Sequence, residues 1–288
     1  MAFLRVENLT HTYNEKTAYA KDAVSGVSFS AEKGEIIGII GHTGSGKSTL
    51  IEHLNGLLKP NDGQIFIDDV DIWQNPKDIK KYRFRVGLVF QYPEYQLFDE
   101  TVYDDIAFGP KNMGLNAEEI DIRVKETIKR VGLDESYLEK SPFDLSGGEK
   151  RRVAIAGVLA MNPEIIVFDE PTAGLDPSGR QMVIDIIKNY RDTYNAAVII
   201  VSHSMEDMAV LADKILVMNS GKVAMFDTPQ NVFSRNKELQ KIGLSVPAVT
   251  KVCEILREKG INLPKSIITV SDAVQHLLKL KQGGGTVD

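Results

Sequence analysis

Four short runs of consecutive apolar residues punctuate the chain: Glu35-Ile36-Ile37-Gly38-Ile39-Ile40, Arg85-Val86-Gly87-Leu88-Val89-Phe90, Ile165-Ile166-Val167-Phe168 and Ala197-Val198-Ile199-Ile200-Val201. A strand wet on one face alternates apolar with polar residues, whereas one buried on both faces is apolar throughout. The four runs therefore predict buried strands of a mainly parallel sheet. Between the second and third runs the period changes. Ile120, Val124, Ile128 and Val131 recur at helical spacing, with Glu118, Glu119, Lys125 and Lys129 on the other faces. The stretch of roughly 95–160 reads as a mostly helical subdomain inserted into an α/β domain.

After about residue 235 the pattern changes again. Pro247 precedes Val249, Val252, Cys253 and Leu256, a helical stripe that closes at Gly260. Thr269-Val270-Ser271-Asp272 fits a capping box and predicts a second helix with Val270, Ala273, Val274 and Leu277 as its stripe. Two such short helices cannot bury both stripes alone, so they must pack on the main domain or on another chain. The expected division is 1–235 for the main domain and 236–288 for a small helical extension, with a disordered end around Gly283-Gly284-Gly285.

Composition narrows the class. The 288 residues suffice for one large domain or for one domain plus a small appendage. A net charge of −6 argues against a dedicated nucleic-acid surface. Cys253 is the single cysteine, which excludes an internal disulfide and suits a reducing compartment. Met1 to Arg5 leads straight into charged sequence, so no signal peptide is expected. No apolar run approaches the ~18 residues of a membrane span.

The chemistry begins directly after the first predicted strand. Gly41-His42-Thr43-Gly44-Ser45-Gly46-Lys47-Ser48-Thr49 has the G-x-x-x-x-G-K-[ST] spacing, and the helical-looking Leu50 to Leu54 follows. The glycines let backbone N–H groups curl toward phosphate oxygens, and the helix N-terminus adds a favourable dipole. Lys47 would reach the β- and γ-phosphates, and Ser48 could ligate Mg²⁺. Taken alone, this loop fits a kinase, a GTPase or a motor. The third apolar run then delivers Asp169 and Glu170 at its end. Asp169 is placed to hold Mg²⁺ and Glu170 to polarise an attacking water.

A third segment separates these classes. Leu145-Ser146-Gly147-Gly148-Glu149 precedes Lys150-Arg151-Arg152 and a helical run. Ser146, Gly147 and Gly148 make a second anion-binding helix N-terminus, with the Ser146 hydroxyl as an extra donor. One nucleotide has no use for two such sites in one chain, but a nucleotide held by a second chain does. At this point the chain resembles the ATP-binding cassette (ABC) family, whose signature motif Leu145 to Glu149 matches. The resemblance covers about residues 3–235. It implies a P-loop α/β core with an antiparallel β edge and an inserted helical subdomain. It also implies a closed dimer, with ATP between one chain's Gly41–Ser48 loop and the other's Ser146 segment. Gln91 then matches the glutamine that approaches metal and water. Asp176, in Ala173-Gly174-Leu175-Asp176, matches the segment that crosses the dimer interface. His203 matches the histidine that contacts the γ-phosphate, and Tyr13 the aromatic that stacks on adenine. His11, His42, His53 and His276 receive no catalytic histidine role from the resemblance.

Within that family, Gly41-His42-Thr43-Gly44, the segment Gln91 to Phe98, and Ala107-Phe108-Gly109-Pro110 are similar to the ATPases of energy-coupling factor (ECF) transporters, most of all to their second, or A-prime, ATPase. This implies uptake of vitamins or transition-metal ions and a heterodimer with a sister ATPase. It also implies a transmembrane coupling component, a membrane substrate-binding component, and a peripheral place on the cytoplasmic face. Leu244 to Thr250 resembles the C-terminal dimerisation region of these subunits. Between Tyr92 and Glu100, Tyr95, Leu97 and Phe98 are expected to line a groove for a helix of the membrane component, with Glu94, Asp99 or Glu100 pairing an Arg on it. Three readings compete: the ATPase of an ordinary importer, a soluble non-transport ABC protein, and a non-hydrolytic ATP-binding scaffold. Intact Lys47, Asp169, Glu170 and His203 argue against the last.

Overall fold

The computed structural model describes residues 2–282. In chain order, the first half runs β1 (Leu4–Tyr13), β2 (Lys21–Ala31), β3 (Ile36–Ile40), α1 (Lys47–Leu54), β4 (Asp62–Ile67), β5 (Val70–Asp71), α2 (Ile79–Arg85) and β6 (Val86–Val89). The helices α3 (Val102–Met113), α4 (Ala117–Arg130) and α5 (Gly147–Leu159) follow. The chain then returns through β7 (Ile165–Asp169), α6 (Pro177–Tyr194), β8 (Ala197–Val201), α7 (Met205–Leu211), β9 (Lys214–Asn219) and β10 (Lys222–Asp227). Four helices close it: α8 (Pro229–Phe233), α9 (Asn236–Lys241), α10 (Ala248–Glu258) and α11 (Val270–Gln282).

The four apolar runs are β3, β6, β7 and β8. Every residue of β3, β6 and β8 is buried, as strands covered on both faces require. They lie in a six-stranded sheet of order β10-β9-β3-β8-β7-β6, parallel except for the edge strand β10. A separate antiparallel sheet of order β2-β1-β4-β5 packs on one face of it. The other face meets α6 and the helical stretch α3 to α5, where Ile120, Val124, Ile128 and Val131 are all buried in one apolar core with Val153, Ile166 and Phe168. The expected helical insertion is thus observed. Its helices start where polar side chains cap them: Thr101 accepts from the Asp104 N–H at 3.1 Å, and Asn116 from the Glu119 N–H at 2.9 Å.

The two C-terminal helices form as their spacing predicts. Thr269 accepts from the Asp272 N–H at 3.2 Å and starts α11. The stripes behave differently from the expectation in one respect. Cys253 and Ala273 are buried with Leu263 and Ile267, and Val249 and Leu256 pack against them. Val252, however, sits beside Ile255 on the outward face of α10, both about half exposed. The stripe read from spacing therefore splits between two faces. On α11, Val270, Val274, Leu277 and Leu278 remain exposed. The glycines at 283–285 lie outside the described residues.

Candidate functional site

Strand order decides what can meet. The carboxyl ends of β3, β8, β7 and β6 are neighbours, so the loops that follow them converge on one crevice. β3 delivers the Gly41–Ser48 loop, β8 delivers His203, β7 delivers Asp169 and Glu170, and β6 leads to Gln91. β1 and β2 add Tyr13, Lys21 and Ala23. Together these residues line a cavity of about 420 Å³. Two loop glycines are required by packing. A Cβ on Gly41 would stand 2.5 Å from the Met218 carbonyl oxygen, and one on Gly46 (φ +99°) would strike the Ala23 carbonyl.

The groups in and around this crevice are satisfied in part by the chain itself. The Lys47 ammonium donates to the carbonyls of Gly41 (2.7 Å) and His42 (3.1 Å). Burial lowers its pKa, and the charges of Glu170 and Asp169 oppose that. The Ser45 hydroxyl is buried with no hydrogen-bond partner. Glu170 takes a left-handed backbone (φ +50°), held by its N–H to the Val201 carbonyl at 2.9 Å. For a glutamate that conformation is strained, and it persists only where surrounding structure enforces it. It aims the carboxyl into the crevice. There Oε2 accepts the His203 N–H at 3.3 Å, while Oε1 has no donor and lies 3.4 Å from His203 Nε2. Burial raises the Glu170 and Asp169 pKa values and lowers that of His203. A base with a raised pKa and one free oxygen is suited to accept a proton from water.

Of the site residues expected from sequence, Tyr13, Thr43, Gly44, Gly46, Lys47, Ser48, Thr49, Gln91, Asp169, Glu170 and His203 line the crevice. Gly41 and Ser45 are buried inside the loop. The His42 ring turns aside, with Nε2 3.1 Å from the Asn219 side chain. Ser146, Gly147, Gly148 and Asp176 lie outside, on the exposed surface. Ser146 caps α5 in a reciprocal box: its hydroxyl donates to Glu149 Oε2 at 2.6 Å and accepts the Glu149 N–H at 3.4 Å. This donor, expected to face an anion, is directed within its own helix. Asp176 caps α6 by accepting the Gly179 N–H at 2.7 Å.

Two supports escaped sequence reasoning. Arg151 of α5 grips Glu94 through two bonds of 2.9 and 2.8 Å and donates to the Ala173 carbonyl at 2.7 Å. It thereby joins the segment after Gln91, the Ser146 helix and the turn after Glu170. The expectation that Glu94 could pair with a membrane component's Arg is thereby corrected, because Arg151 of the same chain already holds its carboxylate. Asp207, buried in α7, accepts from Thr172 at 2.8 Å and Arg180 at 2.7 Å, fixing the same turn against the helix after His203. No local motif marks either contact, because the partners are 57 and 35 residues apart.

A parallel sheet with a phosphate-type loop, an Asp-Glu strand end, a helical insertion and a surface Ser-Gly-Gly helix start together define a nucleotide-hydrolysing cassette. Comparison with known proteins agrees. Residues 24–173 match the family model described as ABC transporter. The energy-coupling factor transporter ATP-binding protein EcfA2 of Caldanaerobacter subterraneus subsp. tengcongensis is 53% identical over 280 residues, covering 97% of this chain and 98% of that protein. EcfA2 of Clostridium tetani is 53% identical over 278 residues, covering 96% of each. Among solved structures, cbiO1 of Clostridium perfringens, part of the ABC transporter complex cbiONQ, superposes with a TM-score of 0.75 at 37% identity, covering 88% of this chain and 99% of that one. A dimeric ATP-binding cassette bound to ADP and Pi gives 0.70 at 28% identity, covering 78% and 98%. The chain belongs to the ABC transporter family, and within it to the energy-coupling factor ATP-binding proteins of the EcfA2 type. It is an ATP-hydrolysing subunit that energises a transporter.

Proposed function

We propose that this chain works as one half of a heterodimer with a sister ATPase, each ATP lying between the Gly41–Thr49 crevice of one chain and the Ser146 segment of the other. The observation that carries this reading is the separation of the two phosphate-binding ends. The crevice excludes Ser146, Gly147 and Gly148, which stand exposed on the surface of the same chain. Tyr13 takes the adenine face, and Lys47 the β- and γ-phosphates. Ser48 and Asp169, with Gln91 nearby, fit Mg²⁺: one hydroxyl and one carboxylate suit a hard ion that shares phosphate oxygens. Among the described residues no three His, Cys, Asp or Glu side chains cluster as a metal site. When bound, Mg²⁺ supplies charge neutralisation at the phosphates. Glu170 orients the attacking water and takes its proton, and His203 contacts the γ-phosphate. Asp176 reaches across the interface. The test is phosphate release by the chain alone and with its sister. The dimer reading requires strong stimulation on mixing, and equal rates per chain would contradict it.

The coupling to the membrane is assigned to a groove of about 360 Å³ lined by Phe84, Leu97, Phe98, Phe108, Val153 and Met161. It would receive a short helix of a transmembrane component, with Asp99 or Glu100 as the acidic partner. Tyr95 is 84% exposed and stands apart from the groove. No helix among the described residues is long and apolar enough to cross a membrane. The family reading puts the chain peripherally at the cytoplasmic face, beside a membrane substrate-binding component. Vitamins or transition-metal ions are the cargo class this family reading implies. Residues 1–235 form the motor domain in this scheme, and 236–288 a region for pairing.

A further inference from the structure

A closed ring of contacts among four residues, His53, His11, Tyr13 and Thr49, lies beside the nucleotide crevice. His53 of α1 is fully buried, and its Nδ1 is 2.6 Å from the Thr49 carbonyl. A carbonyl only accepts, so Nδ1 carries the hydrogen. Burial first, and then the nearby His11, hold the imidazole pKa down at about 4, against the Thr49 and Lys59 carbonyls, which favour the charged form. The ring is therefore neutral at pH 7, and its Nε2 is an acceptor. His11 Nδ1, 3.2 Å from that Nε2, must be the donor. The two imidazoles meet edge to face, with centroids 4.7 Å apart. His11 in turn meets Tyr13 edge to face at 4.6 Å and 79°. The Tyr13 hydroxyl closes the ring at 3.3 Å from Thr49 Oγ1. Thr49 stands two residues after Lys47, in the first turn of the helix that follows the phosphate loop.

We propose that His11 and His53 are positioning residues for nucleotide binding, which lock the Tyr13 ring plane to the first turn of α1. Two elements distant in sequence thereby present one preformed site, with the base platform and the phosphate loop at a fixed separation. The proposal rests on Tyr13 being the base platform. Without His11, the Tyr13 ring keeps one weak hydroxyl contact and gains freedom to rotate, so binding must order it. Phosphate contacts are untouched, because neither imidazole lines the crevice. Loss of a single edge-to-face aromatic contact should weaken base-dependent binding by about 3- to 10-fold.

The full-length chain, with Mg²⁺, is titrated with ATP and with inorganic tripolyphosphate, which carries the phosphates and no base. H11A should weaken ATP binding by that factor and leave tripolyphosphate binding unchanged. Y13A should weaken ATP binding at least as much, and Y13A/H11A should lose no more than Y13A alone, because His11 acts through Tyr13. Equal weakening of both ligands in H11A would show a general loosening of the phosphate loop and overturn the proposal. Weakening by Y13A with none by H11A would overturn the positioning role while sparing the base platform. No effect of Y13A on ATP binding would remove the platform, and the positioning role with it.

Discussion

Arg151 and Glu94 form a bidentate ion pair, 2.9 and 2.8 Å, between the helix that begins at Ser146 and the segment that begins at Gln91. Arg151 is only 3% exposed. A guanidinium buried this deeply must be satisfied, and its third nitrogen, Nη1, donates to the carbonyls of Ala173 at 2.7 Å and Pro171 at 3.5 Å, just beyond Glu170. Removing one partner leaves an uncompensated buried charge, which typically costs about 3–5 kcal/mol. Glu94→Ala should therefore lower the thermal midpoint of the isolated chain sharply. The sequence alone points to a different outcome, loss of membrane coupling with the fold intact. Thermal melts separate the two, since an unchanged melting curve would place Glu94 back among the free surface carboxylates.

Asp99 and Glu100 should behave in the opposite way. Neither takes part in an ion pair among the described residues. Alanine at either position should leave the melting curve and ATP binding unchanged. At least one of the two should reduce co-purification with the transmembrane component. If both variants assemble like wild type, the acidic side of the groove has no coupling role.

His53 gives a pH dependence with a definite sign. In the unfolded chain it binds a proton near its ordinary pKa of 6.5, and in the folded chain only near 4. Between these values the unfolded state binds more protons, so stability falls as the pH drops from 6.5 toward 4. The His53→Gln variant lacks this titration. Its loss of melting temperature between pH 7 and pH 5 should be smaller than that of wild type, whatever its midpoint at pH 7. An equal or larger loss would mean that His53 is protonated in the folded chain.

The outer faces of the two C-terminal helices carry Val252, Ile255, Val274 and Leu277, all exposed. Buried against a sister chain, each would contribute on the order of 1–2 kcal/mol. Replacing Val274 and Leu277 together with serine should weaken pairing by more than tenfold, as read by light scattering, without altering the monomer's melt. Unchanged pairing would assign this face to some other contact.

How much of this was legible follows from where the information lies. β3, β6 and β8 are buried throughout, and β7 is buried as far as Asp169; such burial writes a continuous apolar run that sequence shows to within one or two residues. The chemistry at their ends was legible for the same reason, since each motif abuts such a run. The antiparallel sheet of β1, β2, β4 and β5 was expected only through family resemblance. Its strands mix exposed and buried positions and are interrupted by register shifts, as between Val6 and Leu9. In the C-terminal stripe spacing finds the helix, but Val252 and Cys253 are about 100° apart around its axis, at opposite edges of the stripe, and only Cys253 falls on the buried side. The Glu94–Arg151 pair and the His11–His53 pair join residues 57 and 42 apart, and nothing local in either segment signals its partner.

The central claim is that the crevice of this chain hydrolyses ATP with Glu170 as the base. It is tested most directly by phosphate release from an assembled complex whose sister ATPase already carries the corresponding Glu→Gln change. Residual turnover then comes from this chain's crevice. Introducing Glu170→Gln should cut that residual rate by roughly 10²- to 10⁴-fold, with ATP still bound and the dimer held closed, whereas Lys47→Ala should abolish ATP binding itself. Near-wild-type release from the Glu170→Gln complex would contradict the account.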